Sequence, residues 1–342
     1  ERGENRSITS NTNAGETLGS DTLTSFNDDG FSLGARDVTT TGDWVSWTFA
    51  KQKGFFDIVR YTGDAVVGRE IPHNLGSEPG MIIVKCMSEA NRGWIVNHRS
   101  LGTDKALYLE LSNPEFTSTS FWNNTAPTST HFTVANSSNN NGAGKEYVAY
   151  VFADDAPMFG PDGDESIIKC GSYTGIGTAN EIDLGWEPQF LLFKNTTTGS
   201  RDWLMYDSMR GIGSDAVYAE PALRPNKTSE ELSGNNIDIN ATGFTLTSTL
   251  ATLNAAGDNY IYMAIRRPMK PAEEFEPDEL FAVEEATGSV LPQFKSGFPV
   301  DFAFRRSING ALDTDTSARL IQGSNLKTNK MDAASNDGSA YF

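Results

Sequence analysis

The sequence predicts an all-β protein made of tandem, β-sandwich-like repeats of roughly 100–110 residues each. Composition is the first reason, because 32 Gly residues and a high density of Ser, Thr and Asn favour turns over helices. Aromatic content is the second, since 20 Phe, 10 Tyr and 6 Trp in this background are typical of many short strands. The third is a long motif that occurs twice and predicts two whole repeats, at residues 52–156 and 157–269.

The repeated motif combines glycine turns, a proline before an apolar run, a lysine after it and a more distant tryptophan. The intervals from proline to lysine and from lysine to tryptophan are equal in the two copies, which coincidence would not produce. The first copy reads Tyr61-Thr62-Gly63, Leu75-Gly76, Glu78-Pro79, Ile82-Ile83-Val84-Lys85, Trp94, Gly102, Tyr108 and Glu110. The second reads Tyr173-Thr174-Gly175, Leu184-Gly185, Glu187-Pro188, Leu191-Leu192-Phe193-Lys194, Trp203, Gly211, Tyr218 and Glu220. Because a proline at a strand entrance costs no ladder hydrogen bond, Met81 to Lys85 is predicted to be a buried strand.

Each copy closes with two apolar segments, which we expect to form a hairpin because Asn, Ser, Gly and Asp separate them. The paired segments are 132–134 with 147–152 and 244–246 with 260–265, and a third pair, 31–33 with 44–49, lies near the start of the chain. That third pair lacks the rest of the motif before it. Residues 1–51 are therefore predicted to be the C-terminal half of an upstream repeat.

The end of the chain predicts part of another repeat. Residues 298–305 resemble 187–194, with the same interval from the proline to the basic residue. We expect residues 270–342 to be a linker followed by the start of a diverged repeat. Within it, Pro271 to Glu285 could form a helix, or its Phe281-Ala282-Val283 could begin a first strand. Since the first residue is not Met and no signal peptide follows it, we expect a segment of a larger protein.

Charge and hydropathy exclude two classes of partner. The net charge of −18 and the pI of about 4.6 repel phosphate backbones, so no nucleic-acid partner is expected. No apolar run approaches the roughly 20 residues of a membrane span, so no membrane insertion is expected. Cys86 and Cys170 are predicted to be packing residues, and nothing in the pattern indicates a bridge between them.

The titratable residues predict no catalytic site, so the protein is expected not to be an enzyme. His73, His98 and His131 have no histidine partner at metal-ligand spacing and no counterpart in the second repeat. They are interpreted as ordinary surface or turn residues. A calcium site is the one cofactor hypothesis, because Asp162, Asp164 and Glu165 form the densest acidic cluster. An acidic linker between repeats is the simpler interpretation of that cluster.

Two of the tryptophans are predicted to be buried in the cores, and two others are predicted to be exposed. Trp94 and Trp203 recur at matched positions and are predicted to fill the sandwich cores. Trp122 and Trp186 have no counterpart in the other copy. They are predicted to be exposed aromatics that bind a partner, since tryptophan can stack on the face of a sugar.

Four segments carry a resemblance to a known family. They are Trp47-Thr48-Phe49-Ala50-Lys51, His73-Asn74-Leu75-Gly76, Cys170-Gly171-Ser172-Tyr173-Thr174-Gly175 and Asp207-Ser208-Met209-Arg210-Gly211. Together with the repeated motif, they make residues 30 to 268 resemble the repeated β domain of virion structural and tail-fibre-like proteins of tailed phages, notably marine ones. The resemblance implies a virion appendage or decoration that assembles as an oligomer, and it offers no catalytic motif to carry over.

The leading hypothesis is a non-enzymatic phage virion structural protein, a tail fibre or related appendage that adheres to the host surface. It would act in the virion or outside the cell, with its own copies, other virion proteins and a host cell-surface glycan as partners. A homo-oligomer is expected, and a trimer would suit a fibre. The alternatives are a capsid decoration protein, a bacterial surface adhesin, or a secreted carbohydrate-binding or polysaccharide-degrading module.

Overall fold

The computed structural model describes residues 4–19, 22–34, 44–213, 220–234, 236–268, 282–283, 302–305, 315–318 and 326–327. In this part of the chain the protein is nearly all β, which confirms the predicted fold class. The chain divides into two compact units, Glu1–Met269 and Lys270–Phe342. No described helix is long and apolar enough to cross a membrane.

The strands fall into the groups that the repeats predict. The half-repeat holds β1 (Arg6–Ser7), β2 (Thr17–Leu18), β3 (Leu23–Asn27) and β4 (Gly30–Leu33). The first repeat holds β5 (Phe56–Thr62), β6 (Arg69–Pro72), β7 (Pro79–Cys86), β8 (Ile95–His98), β9 (Lys105–Tyr108), β10 (Phe116–Thr117), α1 (Thr119–Trp122), β11 (His131–Val134) and β12 (Glu146–Ala153). The second holds β13 (Ile168–Thr174), β14 (Asn180–Asp183), β15 (Pro188–Asn195), β16 (Leu204–Asp207), β17 (Ile237–Asn240), β18 (Gly243–Leu246) and β19 (Asn259–Arg266). The terminal unit holds β20 (Phe302–Arg305), β21 (Asp315–Ala318) and β22 (Leu326–Lys327).

Each whole repeat is a sandwich of a large and a small antiparallel sheet. In the first repeat the large sheet has the order β10-β9-β8-β7-β12-β5, and the small one pairs β11 with β6. In the second repeat the orders are β13-β19-β15-β16 and β14-β18-β17. Aromatic contacts join the two layers, for example between Phe193 and Phe244, whose ring centroids lie 5.4 Å apart.

The strand predicted at Met81 to Lys85 is confirmed as part of β7. All eight residues of β7 are buried, since the strand is central in its sheet and both of its faces are covered. In the second repeat, alternate side chains of the equivalent strand β15 pack into two different cores. Leu191 and Phe193 of β15 pack into the core of their own repeat, whereas Phe190 and Leu192 join the core of the first repeat. The core of the first repeat therefore extends into the second repeat, which also has a core of its own.

The prediction that the closing segments form hairpins is wrong. β11 pairs with β6 in the small sheet, whereas β12 lies between β5 and β7 in the large one. The polar segment between them crosses the sandwich and is held by a fully buried amide. Asn141 accepts a hydrogen bond from Asp64 N at 3.1 Å and donates to Ala135 O at 2.7 Å. In the second repeat the buried Asn254 makes the same kind of contacts with Ile176 N and Ser248 O.

In the terminal unit, β20 lies within the predicted strand at residues 298–305. Its sheet order, β20-β21-β22, repeats the order β7-β8-β9 of the first repeat, with antiparallel pairing throughout. The suggested helix or strand at Pro271 to Glu285 lies outside the described residues, apart from 282–283.

Candidate assembly surfaces

Trp122 and Trp186 are buried, so the prediction that they are exposed binding aromatics is wrong. Trp122 is 2% exposed and Trp186 is 6% exposed, and each belongs to the core of its own repeat. The short helix α1 turns Trp122 inward with its neighbour Phe121. Trp186 fills a position that Ser77 occupies in the first repeat. Trp122 and Trp186 lack a tryptophan at the matching position of the other repeat because the two cores pack differently. The lack of a match does not indicate that these side chains are exposed.

The predicted calcium site is not formed. Asp162 and Asp164 are exposed, whereas Glu165 makes an ion pair at 2.5 Å with Arg266. The backbone of Glu165 is also paired with that of Phe159. Within the ranges that the structure describes, no group of three or more His, Cys, Asp or Glu side chains is arranged to hold a metal ion.

Trp94 and Trp203 are buried, as predicted, and each has a role that the sequence did not indicate. The indole N–H of Trp203 donates to Tyr108 O of the first repeat at 3.0 Å. The indole N–H of Trp94 lies 3.1 Å from both Thr9 O and Thr12 O of the half-repeat. Each tryptophan therefore binds the backbone of the preceding repeat.

The carbonyls that these tryptophans bind belong to equivalent hairpins, β1–β2 in the half-repeat and β9–β10 in the first repeat. Two further backbone bonds recur where each hairpin meets the next repeat. Arg92 N donates to Asn13 O at 3.2 Å, and Arg201 N donates to Ser112 O at 3.1 Å. In the reverse direction, the backbone N–H groups of Glu16 and Glu115 donate to Met87 O and Thr196 O, at 2.8 Å and 3.0 Å. The half-repeat thus docks on the first repeat as the first repeat docks on the second.

A buried lysine holds each receiving loop. Lys85 Nζ donates to Arg92 O at 2.5 Å, and Lys194 Nζ donates to Arg201 O. Both lysines are inaccessible to solvent. Burial lowers the pKa of Lys85, and it lowers the pKa of Lys194 to about 8. The equal spacing from lysine to tryptophan in the two repeats therefore spans the loop whose backbone amides donate to the hairpin.

The docking hairpins carry a sequence signal that the repeat motif did not include. An ion pair between residues ten apart closes each one, Arg6 with Glu16 at 2.7 Å and Lys105 with Glu115. Equal spacing of a basic and an acidic residue within two equivalent segments could have identified the hairpins. The backbone contacts themselves leave no such trace, because any residue can make them.

His98 contributes another contact between the two whole repeats. Its ring is fully buried, Nε2 lies 3.1 Å from Tyr262 O, and Nδ1 accepts from Ser100 N at 3.2 Å. These partners suit the neutral ring, with its proton on Nε2. Burial lowers the pKa of His98 to about 4. The interpretation of His98 as an ordinary surface residue is therefore wrong.

The segment at residues 44–49 is anchored by one face only. Trp47 donates from its indole N–H to Asp207 Oδ2 at 3.0 Å, and the guanidinium of Arg210 lies 5.4 Å from the Trp47 ring. Phe49 packs on Phe56 and Phe152. The alternate residues of this segment, Trp44, Ser46 and Thr48, are exposed.

The inner face of the half-repeat is open. Leu33 is 40% exposed, although its counterparts Val134 and Leu246 are fully buried. Trp44 is 67% exposed, although it aligns with the fully buried Tyr147. Phe26 on β3 is also exposed. Among the described residues β4 pairs only with β3, whereas its counterpart β18 has a strand on each edge. Among the described residues, the half-repeat thus presents core positions that no other strand covers.

Replacing Trp203 by Phe should lower the free energy of unfolding by about 1–3 kcal/mol, because Tyr108 O loses its buried donor. Trp186→Phe is a matched control, since the buried Trp186 indole N–H has no hydrogen-bond partner in the described structure. Urea denaturation of both variants measures the difference. Equal losses in the two would show that the indole hydrogen bond contributes nothing to docking.

Acid should destabilise the protein through His98. The unfolded chain protonates this ring near its ordinary pKa of 6.5, whereas the folded protein resists protonation until about 4. Stability is therefore fully present above pH 6.5 and falls as the pH drops towards 4, by up to about 3 kcal/mol. The difference between wild-type and His98→Gln unfolding free energies, measured from pH 8 to 4, should shrink over this window. Parallel curves would contradict the assignment.

Comparison with known proteins yields one family. Residues 1–268 match a domain of unknown function, DUF7483. No curated protein and no solved structure matches the chain. The matched range contains the half-repeat and both whole repeats, so the docked half-repeat is part of the region that the match covers. Since the match spans well over half of its length, the chain belongs to the DUF7483 family of domains of unknown function.

Proposed function

We propose that this protein is a non-enzymatic structural protein of a tailed-phage virion, part of a tail fibre or related appendage that contacts the host surface. The observation that carries the proposal is the open inner face of the half-repeat, where Phe26, Leu33 and Trp44 are exposed. Large exposed apolar side chains at positions that the whole repeats bury indicate a site of contact with another protein. A subunit that works within an assembly accounts for such a face, and the resemblance to virion proteins supplies the kind of assembly.

The contacts between repeats support a structural role. Successive repeats are joined by backbone hydrogen bonds, and the core of the first repeat extends into the second, which leaves the side chains of the outer loops free to vary. A scaffold that fixes its repeats while its loops vary suits recognition of changing surfaces.

Two loops are the best candidates for host contact. Val66 and Val67 lie exposed between β5 and β6, and Ile176 lies exposed at the corresponding place between β13 and β14. The buried amides of Asn141 and Asn254 clamp these loops from beneath. Two similar apolar tips per chain would support weak contacts that add up in an oligomer.

The alternative of a sugar-binding module loses its main support. It depended on exposed aromatic platforms at Trp122 and Trp186, and both side chains are buried. The two loop tips offer aliphatic side chains, which cannot stack on sugars as an aromatic ring does.

The test is the mass and symmetry of the purified chain, measured by mass photometry and electron-microscope class averages. A discrete oligomer, with a trimer favoured, is expected. Because each chain carries a net charge of −18, copies repel one another and added salt should strengthen the assembly. A monomer at all salt and protein concentrations would overturn the proposal and direct attention to polysaccharide binding and cleavage.

A further inference from the structure

We propose that β20 of a second copy pairs with residues 44–49 and covers the open face of the half-repeat. This inference rests on the proposed function, because it supplies the contact that builds the assembly. A second copy can be the occupant because every copy carries both the open half-repeat and β20.

The acceptor, residues 44–49, is an extended segment with one face anchored and the other exposed. In the first repeat, the counterparts of Trp44, Ser46 and Thr48 are Tyr147, Ala149 and Val151, which are fully buried. They belong to the packed core of the repeat, and β12 has a strand on each side, β5 and β7. In the half-repeat the same positions are exposed, while Trp47 and Phe49 fix the opposite face against the two repeats. The segment is therefore held in place with its inner side free.

The donor is the strand that the acceptor lacks. β20 carries the apolar residues and the basic residue of the repeated motif, with Arg305 in the place of Lys85 and Lys194. In both whole repeats the strand with this motif pairs with the closing strand, β7 with β12 and β15 with β19. β20 also brings β21 as its neighbour, as β7 brings β8.

The repeats fix the register of the proposed pairing. Val84 lies opposite Ala149, and Phe193 lies opposite Tyr262. Phe304 precedes the basic residue as Val84 and Phe193 do, and Ser46 has the place of Ala149 and Tyr262. Ser46 of one chain is therefore predicted to lie opposite Phe304 of another, at a Cβ separation of about 4.5–5.5 Å.

Covering the open face would be favourable on hydrophobic grounds. Removing large apolar side chains from water is favourable, and Phe26, Leu33 and Trp44 are all exposed. The pairing would also give ladder hydrogen bonds to the backbone of residues 44–49, which belongs to no strand among the described residues. The whole repeats obtain the same apolar burial and the same ladder hydrogen bonds within one chain.

Disulfide trapping between full-length chains tests the pairing. Chains with Ser46→Cys are mixed with chains with Phe304→Cys under mild oxidation, and peptides are analysed by mass spectrometry. A disulfide between positions 46 and 304 is expected, because the Cα atoms of facing residues in antiparallel strands lie about 4.5–5.5 Å apart, a separation that a disulfide can span. The native Cys86 and Cys170 are both free and buried, which limits competing bonds. Ala303→Cys is the matched control, since adjacent strand residues point to opposite faces.

A second variant tests the same surface without new cysteines. Leu33→Asp should raise the concentration at which half of the chains are assembled by about tenfold or more, because a carboxylate would replace an apolar contact. Leu250→Asp is the matched control, since Leu250 is 39% exposed in the second repeat and lies outside the open face.

The outcomes separate this inference from the proposed function. A wild-type chain that stays monomeric overturns the proposed function, and the inference with it. A wild-type oligomer that tolerates Leu33→Asp and forms no bond between positions 46 and 304 overturns the inference alone. In a chain with both cysteines, a disulfide formed only within monomers would also overturn the pairing between copies.

Discussion

The backbone at the edge of each repeat finds its hydrogen-bond partners in the repeat before it, and the structure of residues 4–268 depends on that constraint. A hairpin from one repeat meets a loop of the next, and the loop is held by a buried lysine beneath it. A tryptophan indole then binds the hairpin backbone. Burying a backbone N–H or C=O group without a hydrogen-bond partner costs free energy. The hairpin and the loop can therefore both be buried here only because each supplies partners to the other. In the same arrangement the core of the first repeat takes in Phe190 and Leu192 from the large sheet of the second repeat.

The sequence predicted what depends on local pattern. Pro79 followed by β-branched residues predicted β7, and the recurrence of the pattern predicted β15, because a central strand needs apolar side chains on both faces. The equal spacing of Trp94 and Trp203 predicted their burial correctly. Recurrence also located the half-repeat, since Phe31 and Leu33 lie where Phe132 and Val134 do in the first repeat.

The predictions that proved wrong concern residues whose packing or hydrogen-bond partners are distant in the chain. The polar segment between β11 and β12 has the composition of a hairpin turn, yet Asn141 buries its amide and carries the chain from one sheet to the other. Trp186 lacked a counterpart and was predicted to be exposed, but burial is decided by the volume left between two sheets. His98 gave no signal at all, because its partner is the carbonyl of Tyr262 in the other repeat. The docking hairpins were missed for the same reason, since backbone contacts place little demand on residue identity.

The docking contact has a direction. The surface that presents a hairpin and the surface that receives it are different, so two repeats cannot exchange places across the contact. An interface between unlike surfaces does not close on itself after two copies. If chains add to one another by the same contact, the rotation made at each step decides between a closed ring and an open filament. The growing end and the receiving end would then be chemically distinct, and new copies would join in a single orientation.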